Sequence, residues 1–267
     1  MTTEVVFQGV PFALSQSEGP ARFVLGLNKC GSSLLNQVVE FIAAEHGLHL
    51  VNLPGVFFNA GVRVETWANA DLGAVLRPGN LYIGFRNCPP AFAREPLFAR
   101  SRRVFMFRDP RDALVSLYFS DAYSHALPKG EGDKAEAARQ HFITKRDRIR
   151  ATDINDFVVQ EAASLNRAFL AYAEVLRSPL TLALRYEEHV FQKKRMLAHI
   201  TRHFGLPLTP EAVERLLAKV DVVPQVEAKE SFIRAVTPGD HRRKLRPDTI
   251  AELDRILEDS LRMYDYH

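Results

Sequence analysis

The sequence predicts an α/β fold in which a central, mainly parallel sheet is flanked by helices. Short apolar runs, each bounded by glycine, proline or polar residues, alternate with segments of helical spacing along the 267 residues. This alternation is typical of parallel sheets, because parallel strands need a crossover connection and the crossover is usually a helix. Since no interdomain linker is evident, we predict one domain over residues 1–267.

The first unit of this alternation is a strand, a glycine-containing loop and a helix. Residues 22–28 form a compact apolar run that is typical of a buried strand. Residues 34–45 carry apolar side chains at helical spacing, and Gly47 ends that helix. Ahead of this unit, residues 5–12 predict a short strand or hairpin.

The remaining elements continue the pattern. Further strands are predicted at residues 49–53, 80–85, 103–107 and 180–185. Helices are predicted from Asp112 onward and over residues 153–176, 210–220 and 247–264. Residues 120–151 are rich in charge, which predicts either a mobile lid or an ordinary surface loop with a solvated helix.

Composition and charge narrow the class of protein. The 35 basic and 32 acidic side chains leave a net charge of +3, which is too mild a balance to indicate a nucleic-acid partner. Cys30 and Cys88 stand in no CxxC or metal-type cluster, so we expect no disulfide framework and a reducing, cytoplasmic setting. We expect no signal peptide and no membrane span. The oligomeric state stays open.

The loop from Gly26 to Ser33 has the glycine spacing of a phosphate-binding loop. Glycine lets backbone N–H groups turn toward an anion, and the following helix directs its positive end to the same place. The hydroxyl groups of Ser32 and Ser33 can add hydrogen bonds. Lys29, however, precedes Gly31, whereas a Walker A loop ends in Gly-Lys-Ser/Thr. This offset favours the transfer of an outer group without magnesium.

A second candidate anion site follows the strand predicted at residues 103–107. Arg108 emerges where that strand ends, which is where α/β folds bind ligands. Ser116 follows about two turns into the next helix. An arginine fork and a short hydroxyl can bind one phosphate group together. The alternative is that Arg108 and Arg111 only form ion pairs with neighbouring aspartates.

These two motifs resemble those of the sulfotransferases that use 3'-phosphoadenosine-5'-phosphosulfate (PAPS). Lys29-Cys-Gly-Ser-Ser33 is similar to their 5'-phosphosulfate loop, and Arg108-Asp-Pro-Arg-Asp-Ala-Leu-Val-Ser116 to their 3'-phosphate motif. Leu184-Arg-Tyr186-Glu-Glu188 resembles their Tyr-Glu-Asp segment, and Phe232-Ile-Arg234 their C-terminal arginine segment. The resemblance runs from residue 22 to about residue 266 and therefore covers nearly the whole chain.

The resemblance implies a reaction and a set of contacts. A sulfuryl group would pass from PAPS, the co-substrate, to a hydroxyl or amine of a small-molecule, lipid or glycan acceptor, leaving 3'-phosphoadenosine-5'-phosphate (PAP). No metal is implied. Lys29 would stabilise the bridging oxygen of the leaving phosphate. The residues that would contact the nucleotide are Lys29, Cys30, Gly31, Ser32, Ser33, Leu34, Arg108, Ser116, Tyr186 and Arg234.

The general base is the part of this chemistry that the resemblance does not supply. Many members of the family have a histidine after the strand that precedes the 3'-phosphate motif, where this chain has Asn87. An amide cannot accept a proton usefully near neutral pH. Some carbohydrate sulfotransferases use a glutamate after the second strand, but residues 48–58 contain no acid. The base candidates are His49 and His125, followed by His46 and Glu65.

Two other functions stay open. A nucleotide-dependent small-molecule kinase would share the loop, although the position of Lys29 and an arginine at the end of the 103–107 strand disfavour it. A non-catalytic member of the fold would bind the nucleotide or another anionic ligand without transfer, and Asn87 motivates that reading. The paired Lys-Gly that follows the family's C-terminal arginine is replaced here by Ala235-Val236.

Overall fold

The computed structural model describes residues 1–221 and 236–266, and these residues contain two sheets. An antiparallel hairpin comes first, with strands β1 (Thr2–Phe7) and β2 (Val10–Ser15). The second sheet is parallel and consists of β3 (Arg22–Gly26), β4 (His49–Val51), β5 (Asn80–Phe85), β6 (Arg102–Phe107) and β7 (Thr181–Arg185). Its order is β4-β5-β3-β6-β7, which confirms the predicted fold class.

Helices cover both faces of the parallel sheet. Those of the first half are α1 (Ser32–Glu45), α2 (Leu53–Asn59), α3 (Val64–Trp67), α4 (Pro96–Arg100), α5 (Pro110–Phe119) and α6 (Asp133–Arg150). Those of the second half are α7 (Ile154–Leu170), α8 (Ala173–Arg177), α9 (Tyr186–His189), α10 (Lys193–Phe204), α11 (Pro210–Val220), α12 (Asp240–Lys244), α13 (Pro247–Ile256) and α14 (Glu258–Met263). Shorter turns are the 3₁₀ segments Leu72–Ala74 and Pro90–Arg94 and a π-helical turn, Ser120–Ser124.

The parallel sheet separates two apolar layers. On one face, Val24, Val104 and Leu184 pack in one cluster with side chains of α1 and α10. On the other face, Phe23 and Phe105 belong to a larger aromatic cluster that includes residues of α7, α13 and α14. Because both faces are covered, the central strands are apolar after their first one or two residues, and these apolar runs made them recognisable in the sequence.

The register of the central strands determines where the functional side chains begin. Leu25 of β3 lies beside Phe85 of β5, and Gly26 lies beside Met106 of β6. All three strands run in the same direction. The segments that follow β3, β5 and β6 therefore leave the sheet side by side at its carboxyl edge, the usual ligand edge of an open α/β sheet.

Two boundaries differ from those predicted, one of a strand and one of a helix, and in both places a capping residue explains the difference. The strand predicted over 49–53 ends at Val51, because Asn52 caps α2 by accepting a hydrogen bond from the Gly55 N–H at 2.9 Å. The helix predicted from Asp112 begins earlier, at Pro110, because Asp109 accepts a hydrogen bond from the Arg111 N–H at 2.9 Å. Both caps satisfy N–H groups that have no partner within the helix.

The C-terminal helix predicted over 247–264 is divided into α13 and α14. Leu257, at the junction, has φ of −97° and ψ of 6° and is fully buried. The break lets both short helices pack against α7. In the described part of the chain, no helix is both long and apolar enough to cross a bilayer.

The charged segment at 120–151 contains the π-helical turn and the 18-residue helix α6. Most side chains of α6 are exposed, whereas Ala135 and Ile149 are buried. The ammonium group of Lys145 lies 2.7 Å from the carboxylate of Asp121, which fastens α6 to the turn. The segment therefore contains a mostly exposed helix, and its role as a mobile lid or an ordinary surface segment stays a prediction.

Candidate functional site

The loop between β3 and α1 has an unusual backbone shape. Lys29 has φ of 62° and Gly31 has φ of 83°. A Cβ atom at position 31 would stand 2.6 Å from Cδ2 of Tyr186 and 2.8 Å from the sulfur of Met106, so only glycine fits there. A lysine with positive φ is a strained conformation of the kind that clusters at functional sites.

This loop opens into a cavity of about 150 Å³ at the carboxyl edge of the sheet. The predicted nucleotide-contacting residues that line it are Lys29, Gly31, Ser32, Ser33, Leu34, Arg108, Ser116 and Tyr186. Two stretches that are far apart in the chain thus meet at one concave surface. Arg234, which was also predicted to contact the nucleotide, lies outside the described residues.

Arg108 enters the cavity from the end of β6. It is 5% exposed, its Nη2 donates to Asp112 at 3.2 Å, and its guanidinium carbon lies 4.7 Å from the centre of the Tyr186 ring. Its Nε is buried and, among the described residues, has no hydrogen-bond acceptor. An unsatisfied buried donor is costly, and an anion in the cavity would remove that cost. The donor set fits a phosphate group.

Asp112 holds Arg108 in place and joins it to the C-terminal segment. Its carboxylate is 1% exposed and accepts hydrogen bonds from the Gly239 N–H at 2.7 Å and from the N–H and Nδ1 of His241 at 2.9 and 2.7 Å. Burial alone would raise the pKa of Asp112, but hydrogen bonds from His241 and the charge of Arg108 hold it below its usual range. Asp112 therefore stays ionised beside the cavity.

Comparison with known proteins bears on this arrangement. No family model and no curated protein matches the sequence. Among solved structures, mouse sulfotransferase SULT7A1 complexed with PAP matches with a TM-score of 0.61 and 13% identity, over 98% of this chain and 95% of that one. A retinol dehydratase in a complex with retinol and PAP matches with a TM-score of 0.50 and 15% identity, over 97% of this chain and 90% of that one.

The chain has the sulfotransferase fold. The Lys29 loop follows β3 and Arg108 follows the neighbouring strand, β6, and both line the cavity. The buried hydroxyl of Tyr172 donates a hydrogen bond to the carbonyl oxygen of Gly26, where the loop begins, at 2.9 Å. The loop is thus attached to the aromatic layer of the core.

Cys30 does not line the cavity, contrary to the prediction from the sequence. Its backbone N–H donates to the carbonyl of Leu27 at 3.3 Å, and its thiol lies 3.5 Å from the carbonyl oxygen of Asn28. The side chain is fully buried, and this burial raises the pKa of the thiol far above its ordinary value. Since both of its donors face inward, Cys30 belongs to the core beneath the loop.

Arg111 follows the ion-pair alternative that the sequence left open. Its guanidinium contacts the carboxylates of Asp109 at 2.8 Å and Asp254 at 2.7 Å. The contact with Asp254 joins α5 to α13. Arg243 also forms an ion pair, with Asp240 of the same helix, α12, at 3.0 Å.

His49 is wrong as a candidate base. It is the first residue of β4 and lies beside Asn80, the first residue of β5, at the amino edge of the sheet. Its Nε2 lies 2.9 Å from the carbonyl oxygen of Ala13. Because parallel strands begin at one edge and end at the other, His49 and Lys29 lie at opposite edges. His46 is also remote, at the C-terminal end of α1, where its Nε2 contacts the carbonyl of Pro207 at 2.9 Å.

His125 is not among the described residues that line the cavity, but its imidazole is affected by the charge of Lys29. Its ring packs against Phe142 at 5.2 Å and is parallel to the ring of Phe58, with centroids 6.0 Å apart. Burial lowers the pKa of His125, and the charges of Lys29, Lys145 and Arg86 lower it further, against the opposing effect of Asp121. The imidazole is therefore neutral at neutral pH and able to accept a proton.

Several residues that line the cavity belong to none of the motifs found in the sequence. They are Gln37, Arg86, Val190, Lys193, Lys219, Val220 and Val236. Lys193 is paired with the carboxylate of Asp221 at 2.7 Å. Arg86 directly follows the strand Asn80–Phe85, and its position at the end of a parallel strand is the same signal that indicated Arg108.

A larger cleft, of about 650 Å³, lies at the amino edge of the sheet. Arg22 and Arg102 border it, but Arg22 donates to the carbonyl of Phe204 at 3.2 Å and Arg102 to the carbonyl of His203. Both arginines therefore satisfy the last carbonyl groups of α10, a structural role that accounts for them.

Proposed function

We propose that the protein transfers a sulfuryl group from PAPS to a hydroxyl or amine group of an acceptor. The observation that carries this proposal is the meeting of two anion-binding motifs in one cavity, where Arg108 has a buried, unsatisfied Nε. The proposal is also supported by the two solved structures of the same fold, both of which are complexes with PAP.

The two motifs divide the nucleotide between them. Arg108 and Ser116 suit the 3'-phosphate, because a guanidinium and a hydroxyl that line one cavity can bind the same phosphate group. Gly31, Ser32 and Ser33 suit the 5'-phosphate at the positive end of α1. We assign Tyr186, which lines the cavity beside Arg108, to the adenine side.

Lys29 and His125 supply the chemistry in this proposal. The acceptor oxygen or nitrogen forms a bond to sulfur while the bond between sulfur and the bridging oxygen of the 5'-phosphate breaks. The electron pair stays on that oxygen, and the ammonium group of Lys29 stabilises its charge. His125 accepts the proton that the acceptor loses, because its lowered pKa keeps the imidazole neutral.

The surroundings of His125 favour an acceptor with an apolar body. Phe58 and Phe142 pack around the imidazole, so the ring next to the reacting group is bordered by aromatic surface. We therefore propose that the acceptor is a small aromatic or lipid-like molecule and not a glycan. The setting we propose is the cytoplasm, since Cys30 and Cys88 are both free thiols.

Turnover with PAPS radiolabelled in the sulfuryl group tests the proposal. The wild-type protein should label at least one member of a panel of phenols, alcohols, amines and glycans. Lys29→Ala should lower kcat about 100-fold, as the removal of one charge-stabilising donor commonly does. Lys194→Ala is the matched control, because Lys194 is exposed and paired with Glu214. Wild-type turnover in Lys29→Ala would refute the role of this lysine.

The same assay separates the two alternatives. A small-molecule kinase would transfer phosphate from ATP with magnesium and would ignore PAPS. A binding-only protein would be stabilised by PAP and yet label no acceptor in the panel. Neither alternative predicts a sulfated product that depends on Lys29.

A further inference from the structure

The side chain of His241 is buried behind the arginine that we assign to the 3'-phosphate. His241 is 2% exposed and belongs to α12, which packs against α5. Its Nδ1 lies 2.7 Å from Oδ1 of Asp112, and its backbone N–H donates to the same oxygen at 2.9 Å. The other oxygen, Oδ2, accepts the hydrogen bond from Arg108 at 3.2 Å. One carboxylate therefore connects His241 to Arg108.

The hydrogen bond to Asp112 determines which nitrogen of the His241 ring carries a proton. Asp112 stays ionised, because its hydrogen bonds and the charge of Arg108 hold its pKa below the usual range. An ionised carboxylate only accepts, so Nδ1 carries the proton that points to it. In the neutral ring, Nε2 then has the lone pair. This Nε2 is buried and has no hydrogen-bond partner among residues 1–221 and 236–266. A proton can be added there without breaking any of these hydrogen bonds.

Most other charges near His241 have partners of opposite sign. On α12 and on the helices packed against it, α5 and α13, the ion pairs are Asp240–Arg243, Asp109–Arg111, Asp254–Arg111, Asp248–Arg246 and Glu252–Arg255. The ammonium group of Lys244 lies 5.7 Å from the centre of the Phe119 ring, and Arg242 is exposed. With a neutral imidazole, the opposite charges of Arg108 and Asp112 also balance each other.

A 3'-phosphate at Arg108 changes this balance. A phosphate monoester carries close to two negative charges near neutral pH, and a buried setting screens them poorly. The single charge of Arg108 is already offset by Asp112. Histidine is the residue type whose charge ordinarily changes near neutral pH. In the group formed by Arg108, Asp112 and His241, the imidazole is therefore the side chain that can gain a positive charge when the phosphate arrives.

We propose that His241 takes up a proton at Nε2 when the cavity binds a 3'-phosphate, an inference that rests on the proposed function. His241 is a positioning residue: it holds Asp112, and through it Arg108, while its added charge offsets part of the charge of the phosphate. The proton comes from the solvent. Because the 5'-phosphate is assigned to the Lys29 loop, a nucleotide that has only a 5'-phosphate should not draw this proton.

Calorimetric titration of the wild-type protein near pH 7, in two buffers of different ionisation enthalpy, counts the protons taken up on binding. Uptake should be larger with PAP than with AMP, which lacks the 3'-phosphate. Any response of His125 to the 5'-phosphate is common to both nucleotides and cancels in the difference. Equal uptake with PAP and AMP would contradict the inference without recourse to any variant.

His241→Asn isolates the role of Nε2. The amide N–H of asparagine can replace Nδ1 as the donor to Asp112, and the backbone N–H remains, but the amide takes up no proton. With PAP the variant should take up about half a proton less than the wild type, or an even smaller share. The free nucleotide's own titration near pH 6 is the same for both proteins and cancels.

The pH dependence of affinity gives the second readout. Because binding takes up a proton in the wild type, its affinity for PAP relative to that of His241→Asn should rise about tenfold as the pH falls from about 8 to about 6. For AMP this ratio should stay constant. His49→Asn is the matched control, because His49 lies at the opposite edge of the sheet, and it should behave as the wild type does.

A purely structural role for His241 predicts a different pattern. Equal proton uptake in the wild type and His241→Asn, or an affinity ratio for PAP that is constant with pH, would overturn the inference. If the wild type does not bind PAP, both the proposed function and this inference fail. If the wild type binds PAP and sulfates an acceptor but shows no such proton uptake, only the role of His241 is wrong.

Discussion

Asp112 and His241 are joined by two hydrogen bonds, one from the backbone N–H of His241 and one from its Nδ1, although 129 residues separate them in the chain. The same carboxylate accepts a hydrogen bond from Arg108. The candidate phosphate-binding arginine and the segment that leads into α12 are therefore held by one buried anion. Loss of that anion should affect both stability and ligand binding.

Asp112→Asn should lower the free energy of unfolding by about 3 kcal/mol at neutral pH, because it leaves Arg108 buried without a counterion. The pKa of folded Asp112 lies below its ordinary value of 3.8, so its contribution is present above that pH and is lost as the pH falls further. Denaturant titrations should thus show the gap between variant and wild type closing below pH 3.8. Asp248→Asn, at an exposed carboxylate, is the control. A gap that stayed constant with pH would contradict this reading.

Gly31→Ala should abolish binding of PAP, because its Cβ would stand 2.6 Å from the Tyr186 ring and displace it or the loop. Gly47→Ala is the control variant that distinguishes the effect of this clash from the effect of a strained backbone. Gly47 also has positive φ, 59°, but a Cβ there would have nothing within 4 Å. The control should therefore lose only about 1 kcal/mol of stability and bind PAP normally. Normal binding in Gly31→Ala would show that the loop can move aside.

His125 should titrate below its ordinary pKa of 6.5 in the free protein. Burial and the charges of Lys29, Lys145 and Arg86 all disfavour the imidazolium, and Asp121 opposes them only in part. An NMR titration, with the resonance assigned by its absence in His125→Gln, measures the midpoint. Lys145→Met should raise it, because the variant removes one cation and frees the charge of Asp121. A midpoint at or above 6.5 would contradict this account of the site.

The parts of the site that could be predicted from the sequence follow strands with strong local signals. Lys29 and Arg108 each come after an apolar run that is buried on both faces, so their place at the carboxyl edge was readable from the chain alone. His49, predicted as a candidate base, lies away from the cavity because of its position in its strand. It begins its strand, and the first residue of a parallel strand lies at the opposite edge.

Other parts depend on contacts that leave no local pattern. Nothing near Asp112 in the sequence indicates that His241 will pack against it. The burial of Cys30 depends on whether a loop side chain turns toward the core or the cavity, and two inward hydrogen bonds decide that. Arg86 follows a strand as Arg108 does, but it matches no motif, and only the order β5-β3-β6 shows that it flanks the Lys29 loop.

The most direct test of the central claim is the affinity of the wild-type protein for three nucleotides: PAP, AMP, and ATP with magnesium. If Arg108 and Ser116 bind a 3'-phosphate, PAP should bind at least about tenfold more tightly than AMP, which lacks that group. PAP should also raise the unfolding temperature where ATP with magnesium does not. Stabilisation by ATP with magnesium, with none from PAP, would contradict the assignment of this cavity to PAPS.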